Sequence, residues 1–231
     1  MQTIFYTFYN SKYDIDYYLN TKYFNLLIIF YCYSPPKRYF GSPILIKTKD
    51  IADLKNKNDY VISRLIKFSP WNYMENKFSK YVYFDYRIKL SRKFILYAQK
   101  SEYSCFFKHR EGGILRDEII RILSRDKSSV KSIRDYLNIK KLNINLPITE
   151  NGVMILTKDL ENSFHQMSSM YNTVKRDQIL TPIFLQNHKI NYFEFNLSNL
   201  SFLYVRPKVL NFINLLKFFY RELLFTFIWN R

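Results

Sequence analysis

Apolar and polar residues alternate most regularly over residues 81–90. Val82, Phe84, Tyr86, Ile88 and Leu90 fall on one side, and Tyr81, Tyr83, Asp85, Arg87 and Lys89 on the other. That period of two predicts a strand with one face in a core and the other carrying tyrosines and two cations. Residues 44–48 make a second, short apolar strand. Leu142, Ile144, Leu146 and Ile148 also alternate; Asn151-Gly152 then supplies residues tolerant of positive φ, and 153–156 can return. The pattern predicts a hairpin. Helical spacing follows Gly112-Gly113, with Leu115, Ile119, Ile122 or Leu123, Val130, Ile133 and Leu137 on one side and a joint at Ser128-Ser129. A further helix is expected to begin near Thr157, a suitable N-cap, with Leu160, Phe164, Met167, Tyr171 and Val174 on one face. Ile179, Leu180, Ile183 and Phe184 predict a short helix that holds Pro182 in its first turn.

The ends of the chain are less regular. Residues 1–36 are aromatic, nearly neutral and without a period, closed by Pro35-Pro36, so they are expected to form an extension that packs on neighbours. Residues 209–229 form an apolar run interrupted by Asn211, Asn214, Lys217 and Arg221. Those four make one polar stripe on a helix, the mark of an amphipathic docking helix rather than a membrane span. The expected fold class is therefore α+β: mixed helices and short antiparallel strands, with an aromatic N-terminal extension and an amphipathic helical C-terminal one. Four regions are expected: the extension (1–36), a basic α+β region (37–141), a small α+β RNA-binding domain (142–208) and the C-terminal helix (209–231).

Charge changes the picture most. The chain has 231 residues, with 36 Lys and Arg against 19 Asp and Glu, for a net +17. Such an excess repels itself unless an anion compensates it; phosphate backbone is the first candidate and an anionic membrane surface the second. Between residues 80 and 141 there are 16 basic and 7 acidic residues, too few acids to pair the bases. With 21 Phe and 21 Tyr against 4 Gly and 7 Pro, usage favours A/T-rich codons, as in organelle genomes. Residues 1–20 hold Asp14 and Asp16, one Lys and no Arg, so they resemble neither a secretory signal nor a transit peptide. Cys32 and Cys105 give no disulfide framework and fit a reduced compartment.

Chemistry-bearing motifs are sparse. No Gly-rich phosphate loop and no Cys-x-x-Cys or His-x-x-x-His spacing occurs. Cys105 and His109 stand four apart with no second pair, and His109, His165 and His188 are scattered. Asp117 and Glu118 diverge on a helix and read as counter-charges to Arg116 and Arg121. No catalytic residue, metal or cofactor is expected, and the chain is read as not an enzyme. A fragment of a nucleic-acid maturase is disfavoured, because no acidic pair with metal-binding geometry stands out.

One segment resembles a known family. Ile183-Phe184-Leu185-Gln186-Asn187-His188-Lys189-Ile190 follows an order found in the RNA-binding domain of the small-subunit ribosomal protein numbered four. Ser201-Phe202-Leu203-Tyr204-Val205-Arg206-Pro207-Lys208 is similar to a later stretch of that domain. The departures are that His188 stands two residues before Ile190, that Asn191-Tyr192-Phe193 replaces the family's turn, and that Pro182 interrupts the helix. The resemblance implies that Lys175, Arg176, His188, Lys189 and Arg206 face ribosomal RNA.

Together these readings give one expectation: a mitochondrially encoded, diverged ribosomal protein of the matrix. It would be a structural constituent of the small subunit that binds ribosomal RNA and neighbouring proteins. The expected RNA-binding residues are Arg87, Lys89, Arg92, Lys93, Lys108, Arg110, Arg116, Arg121, Arg125, Lys127, Lys131, Arg134, Lys175, Arg176, His188, Lys189, Arg206 and Lys208. No small-molecule substrate and no membrane contact are expected. The alternative is an accessory subunit of an inner-membrane respiratory-chain complex, built on residues 209–229.

Overall fold

The structure is a computed structural model, and it describes residues 2–14, 19–74, 78–109, 113–123, 134–135, 143–164, 177–190 and 200–202. Contacts divide the chain into two units. The first comprises Met1–Phe107, Gly152–Ser169 and Phe193–Tyr204; the second comprises Lys108–Asn151, Met170–Tyr192 and Val205–Arg231.

A mixed sheet of six strands dominates. Its strands are β1 (Thr3–Asn10), β3 (Leu27–Cys32), β5 (Ile44–Lys47), β6 (Lys80–Phe84), β8 (Cys105–Lys108) and β9 (Thr149–Thr157), in the order β5-β3-β1-β6-β9-β8. Four of them, β5, β3, β1 and β6, run parallel, and β9 runs antiparallel to β6. Two short pairs complete the strands. These are β2 (Leu19–Asn20) with β4 (Tyr39–Phe40), parallel, and β7 (Ile88–Leu90) with β10 (Leu200–Phe202), antiparallel. The α+β class therefore holds. Among the described residues antiparallel pairing is found in β6–β9, β7–β10 and an isolated bridge between Ile114 and Pro147, and the sheet's centre is parallel.

Both faces of this centre are covered, which is what parallel strands require. The register Leu27–Phe5–Val82–Ile155 runs across four strands. All four residues join one buried cluster with Tyr9, Ile29, Phe84, Phe107 and Val153. Helix α2 (Arg92–Lys100) closes that face with Phe94, Ile95 and Ala98. On the opposite face Tyr6 meets Tyr83 at 5.3 Å, and its hydroxyl donates to the Lys67 carbonyl at 2.7 Å. Helix α1 (Asp59–Phe68) lies there, followed by Trp71 against Tyr81 and by Phe164 against both Phe68 and Phe106. Each fully buried side chain of this size stabilises the fold by about 1.5–3 kcal/mol.

Local signals set the helix ends. Asn58 accepts the Val61 N–H at 2.9 Å and caps α1; Ser91 accepts the Phe94 N–H at 3.1 Å and caps α2. The far end of α2 is held differently. Lys80 is buried, and its ammonium donates to the Gln99 and Ser101 carbonyls at 2.8 and 2.5 Å. A cation on terminal helix carbonyls satisfies both hydrogen bonding and the helix dipole.

Several expectations change here. Thr3–Asn10 and Leu27–Cys32, read above as part of an extension, are strands in the middle of the sheet. Residues 81–90 are two strands joined by a turn, with both faces of β6 buried. The Asn151-Gly152 pair makes no hairpin turn, since β9 runs straight through it and the Gly152 carbonyl accepts the Asp85 N–H at 2.7 Å. Thr157 precedes a 3-10 turn, but its side chain gives no cap and meets the Ser104 hydroxyl at 2.5 Å instead.

In the second unit α3 (Leu115–Leu123) packs against α4 (Asp177–Asn187). Leu115, Ile119 and Ile120 are buried, and the Glu118 carboxylate, also buried, takes Arg121 at 3.1 Å. Pro182 lies inside α4 rather than in its first turn. The Thr181 hydroxyl donates to the Asp177 carbonyl at 2.9 Å, in the turn where the proline has no N–H to give. Residues 209–231, and so the expected C-terminal helix, lie outside the described residues. Among those described, no helix is long and apolar enough to cross a membrane.

Replacing Lys80 with Ala removes the cation from two carbonyls and is expected to cost about 2–3 kcal/mol. The check is the urea midpoint of unfolding; an unchanged midpoint would refute this role for Lys80.

Candidate functional site

The chain steps outward from β1 to β3 to β5, then returns through α1 to the opposite side of β1 to form β6. Its direction of travel reverses between β1 and β6. In open α/β sheets a crevice forms at such a reversal, outside the carboxyl ends of the strands, and ligands bind there. The residues at those ends are Asn10 to Asp14 after β1, Tyr33 after β3, and Asp85 to Arg87 after β6.

Asn10 organises the β1 end. Its backbone N–H donates to Asp14 Oδ2 at 2.8 Å, its Oδ1 accepts the Lys12 N–H at 3.1 Å, and its Nδ2 donates to Asp59 Oδ2 at 3.2 Å. The Tyr33 hydroxyl donates to the same Asp59 oxygen at 2.6 Å, and Lys12 Nζ lies 3.8 Å from the centre of the Tyr33 ring. Tyr33 holds a left-handed φ of 67°, a conformation that costs a non-glycine residue free energy and collects at functional sites. The strained backbone thus sets an exposed aromatic ring beside a cation.

At the β6 end Asp85 is fixed from three directions. Its Oδ1 accepts the buried Tyr83 hydroxyl at 2.5 Å and lies 3.9 Å from Lys67 Nζ, a buried ammonium that also faces the Tyr83 ring at 4.9 Å. The Asp85 carbonyl accepts the Ile88 N–H at 2.8 Å, closing the turn that carries Arg87 into solvent. Burial raises the Tyr83 hydroxyl well above its ordinary range, and the Asp85 charge raises it further. Tyr83 therefore stays a donor.

Asp14, Asp85 and Arg87 interact through their charges. Burial pushes the Asp14 carboxyl up; the Asn10 N–H and the Arg87 guanidinium pull it down, and the Asp85 carboxylate raises it again. A pair of carboxylates in different surroundings, one fixed by a tyrosine and a lysine and the other shifted toward its protonated form, can divide acid and base duties. Among the described residues no three His, Cys, Asp or Glu side chains group as metal ligands would.

The expected RNA-binding residues fall as follows. In the first unit Arg87, Lys89, Arg92 and Lys93 are exposed, Arg92 lying 5.5 Å from the Tyr23 ring. In the second, Lys108 is exposed at the end of β8, Arg116 is half-buried on α3, and Arg121 pairs with Glu118. Arg134 takes Asp135 at 3.2 Å, His188 lies 4.6 Å from the Phe184 ring, and Lys189 is exposed with a φ of 55°. Arg110, Arg125, Lys127, Lys131, Lys175, Arg176, Arg206 and Lys208 lie outside the described residues. Of the described ones, Arg87 follows β6, at the carboxyl end of the strand beside β1. Cys105 is buried beside Ser101 and Tyr97, and His109 stands 3.9 Å from Glu150.

No protein-family model matches the chain, and no curated protein matches it. Among solved structures it is similar to mouse xyloside xylosyltransferase 1 in its apo form. The identity is 8%, over 84% of this chain and 85% of that one, with a TM-score of 0.44. That protein is an enzyme where a ribosomal constituent was expected. On this finding the readings of the chain as a structural part of a ribosome or a respiratory complex, and as a non-enzyme, are corrected. At that score the likeness carries no argument about substrate or reaction. The ribosomal expectation rests on excess charge, which bears on partners and solubility and not on fold.

The Asp14 shift has a definite sign. A carboxyl raised in the fold binds protons better folded than unfolded, so its contribution is most favourable below the ordinary carboxylate pKa. That contribution is lost as pH rises through the raised value. Asp14→Asn should therefore become progressively more stable relative to the native chain as pH rises across that window. Urea midpoints measured below and above it test this, and a constant or shrinking difference would contradict the shift.

Proposed function

We propose that the chain is a group-transfer enzyme whose substrate carries a nucleotide, seated at the carboxyl ends of β1 and β6. The observation that carries the reading is placement: Asp14 follows β1, and Asp85 and Arg87 follow β6, at the carboxyl ends of the two adjacent parallel strands where the strand order reverses. A nucleotide presents three kinds of surface, and the crevice offers a partner for each. Arg87 and Lys12 are exposed cations suited to phosphate, Arg87 by its fork of N–H donors. Tyr33, ring outward, suits stacking on a base. The Asp85 carboxylate, half-buried after β6, can accept from a ribose or acceptor hydroxyl.

In this mechanism Arg87 and Lys12 hold the phosphate and offset the charge that develops as its bond to the transferred group lengthens. Asp85 orients the attacking or retained hydroxyl, kept in one rotamer by Tyr83 and Lys67. As the acceptor hydroxyl bonds to the transferred group, the ionised form of Asp14 takes the hydroxyl's proton, and the nucleotide phosphate leaves with the electron pair of the bond that breaks. The reading departs from the expectation that no small molecule is bound.

Nucleoside diphosphates titrated into the full chain by calorimetry should bind. Arg87→Ala should weaken that binding by roughly 1.5–3 kcal/mol, about tenfold or more, because it removes charge-assisted hydrogen bonds. Arg87 is exposed, so thermal stability without ligand should scarcely move. No binding by any nucleoside diphosphate, or equal binding by the variant, would overturn the proposal.

A further inference from the structure

A second surface lies at the opposite side of the sheet's order from β9 and β8, where β5 is the last strand. An edge strand presents unpaired backbone groups, and chains commonly guard such edges with charge. Here the guard is lopsided. Residues 37–57 contain six cations and only two carboxylates, Asp50 and Asp53. Lys37, Arg38, Lys47, Lys55 and Lys57 are exposed, while Lys49 turns back to donate to the Lys57 carbonyl at 2.7 Å. The ion pair of Lys47 with Asp50 is 4.0 Å long and solvent-exposed, so it neutralises little.

Two large apolar side chains are exposed in the same segment: Phe40 is 55% exposed and Ile44 45%. Their backbone is fixed rather than loose. Gly41 adopts a φ of 103°, and a Cβ there would collide with the Thr21 hydroxyl. That hydroxyl donates to the Phe40 carbonyl, and the Thr21 N–H reaches the same oxygen at 3.0 Å. The turn thus holds Phe40 outward at one end of the segment, while pairing of Ile44 with Ile28 holds the other.

We propose that the β5 edge docks on an anionic lipid bilayer. Phe40 and Ile44 enter the headgroup boundary, and Lys37, Arg38, Lys47, Lys55 and Lys57 face lipid phosphates. Exposed apolar side chains within a basic segment are what a charged interface rewards: apolar area is buried at shallow depth while each nearby cation is drawn to the surface. An extended acidic peptide would use the cations and the strand edge but would leave Phe40 unexplained. This proposal is independent of the reading of the crevice between β1 and β6.

Any chain with a net +17 clings to anionic vesicles, so position has to be separated from charge. The full chain would be co-sedimented with phosphatidylcholine vesicles, with and without phosphatidylserine, at physiological salt. Phe40→Ser/Ile44→Ser should weaken binding to the anionic vesicles by about tenfold or more, with the melting temperature unchanged. Lys37→Gln/Arg38→Gln/Lys47→Gln should do the same. The equal-charge control Lys89→Gln/Lys93→Gln/Lys100→Gln should lose far less. Equal losses in the two triple variants, full binding by the Phe40/Ile44 variant, or preference for poly-glutamate over vesicles would each overturn the proposal.

Discussion

The structure depends on covering both faces of β1. This strand has all eight residues buried and is paired on each side, with β3 and with β6. Its odd residues Phe5 and Tyr9 look toward α2, and Tyr6 looks toward α1. A parallel strand in that position has no solvent face, so helices must lie above and below, and the crossover through α1 is the connection that supplies one of them. The same crossover places β6 on the far side of β1. The reversal of strand order, and with it the crevice, is thus a by-product of burying the central strand.

Polar groups at the ends of β1 and β6 then have little room to choose their partners. Asn10 and Tyr83 are buried, so their hydrogen bonds must be made within the protein. Asn10 makes three of them with neighbours that define the β1 end, and Tyr83 gives its hydroxyl to Asp85. Lys67 is buried beside the same carboxylate. A charge removed from water needs a partner, and a pair held this way keeps one geometry. The rigidity of Asp85 follows from the burial of residues that never reach the crevice.

Much of the local structure was legible in the sequence, and much of the assembly was not. The apolar run at 44–48 marks a strand, and the alternation over residues 81–90 marks two short strands where one was expected. The helical spacing after Gly113 marks a helix over Leu115–Leu123, its expected continuation to Leu137 lying almost wholly outside the described residues. The first strands escaped because a strand buried on both faces is simply apolar, and stretches such as Thr3–Asn10 and Leu27–Cys32 show no period to read. Asn151-Gly152 misled because its turn signal is a local preference, and pairing of β9 with β6 overrides it. The crevice was only partly visible. Arg87 was singled out for its charge, but Asp14 and Asp85 lie far apart in sequence and share no motif. What sets both at the carboxyl ends of neighbouring strands is strand order, which no short-range pattern records.

The central claim is that the β1–β6 crevice is where this protein meets its ligand. Hydrogen–deuterium exchange of the full chain, with and without a saturating nucleoside diphosphate, tests it most directly. The account predicts slowed exchange confined to peptides covering residues 10–14, 33 and 85–88. Slowing centred instead on α3 and α4, or no change anywhere, would contradict it.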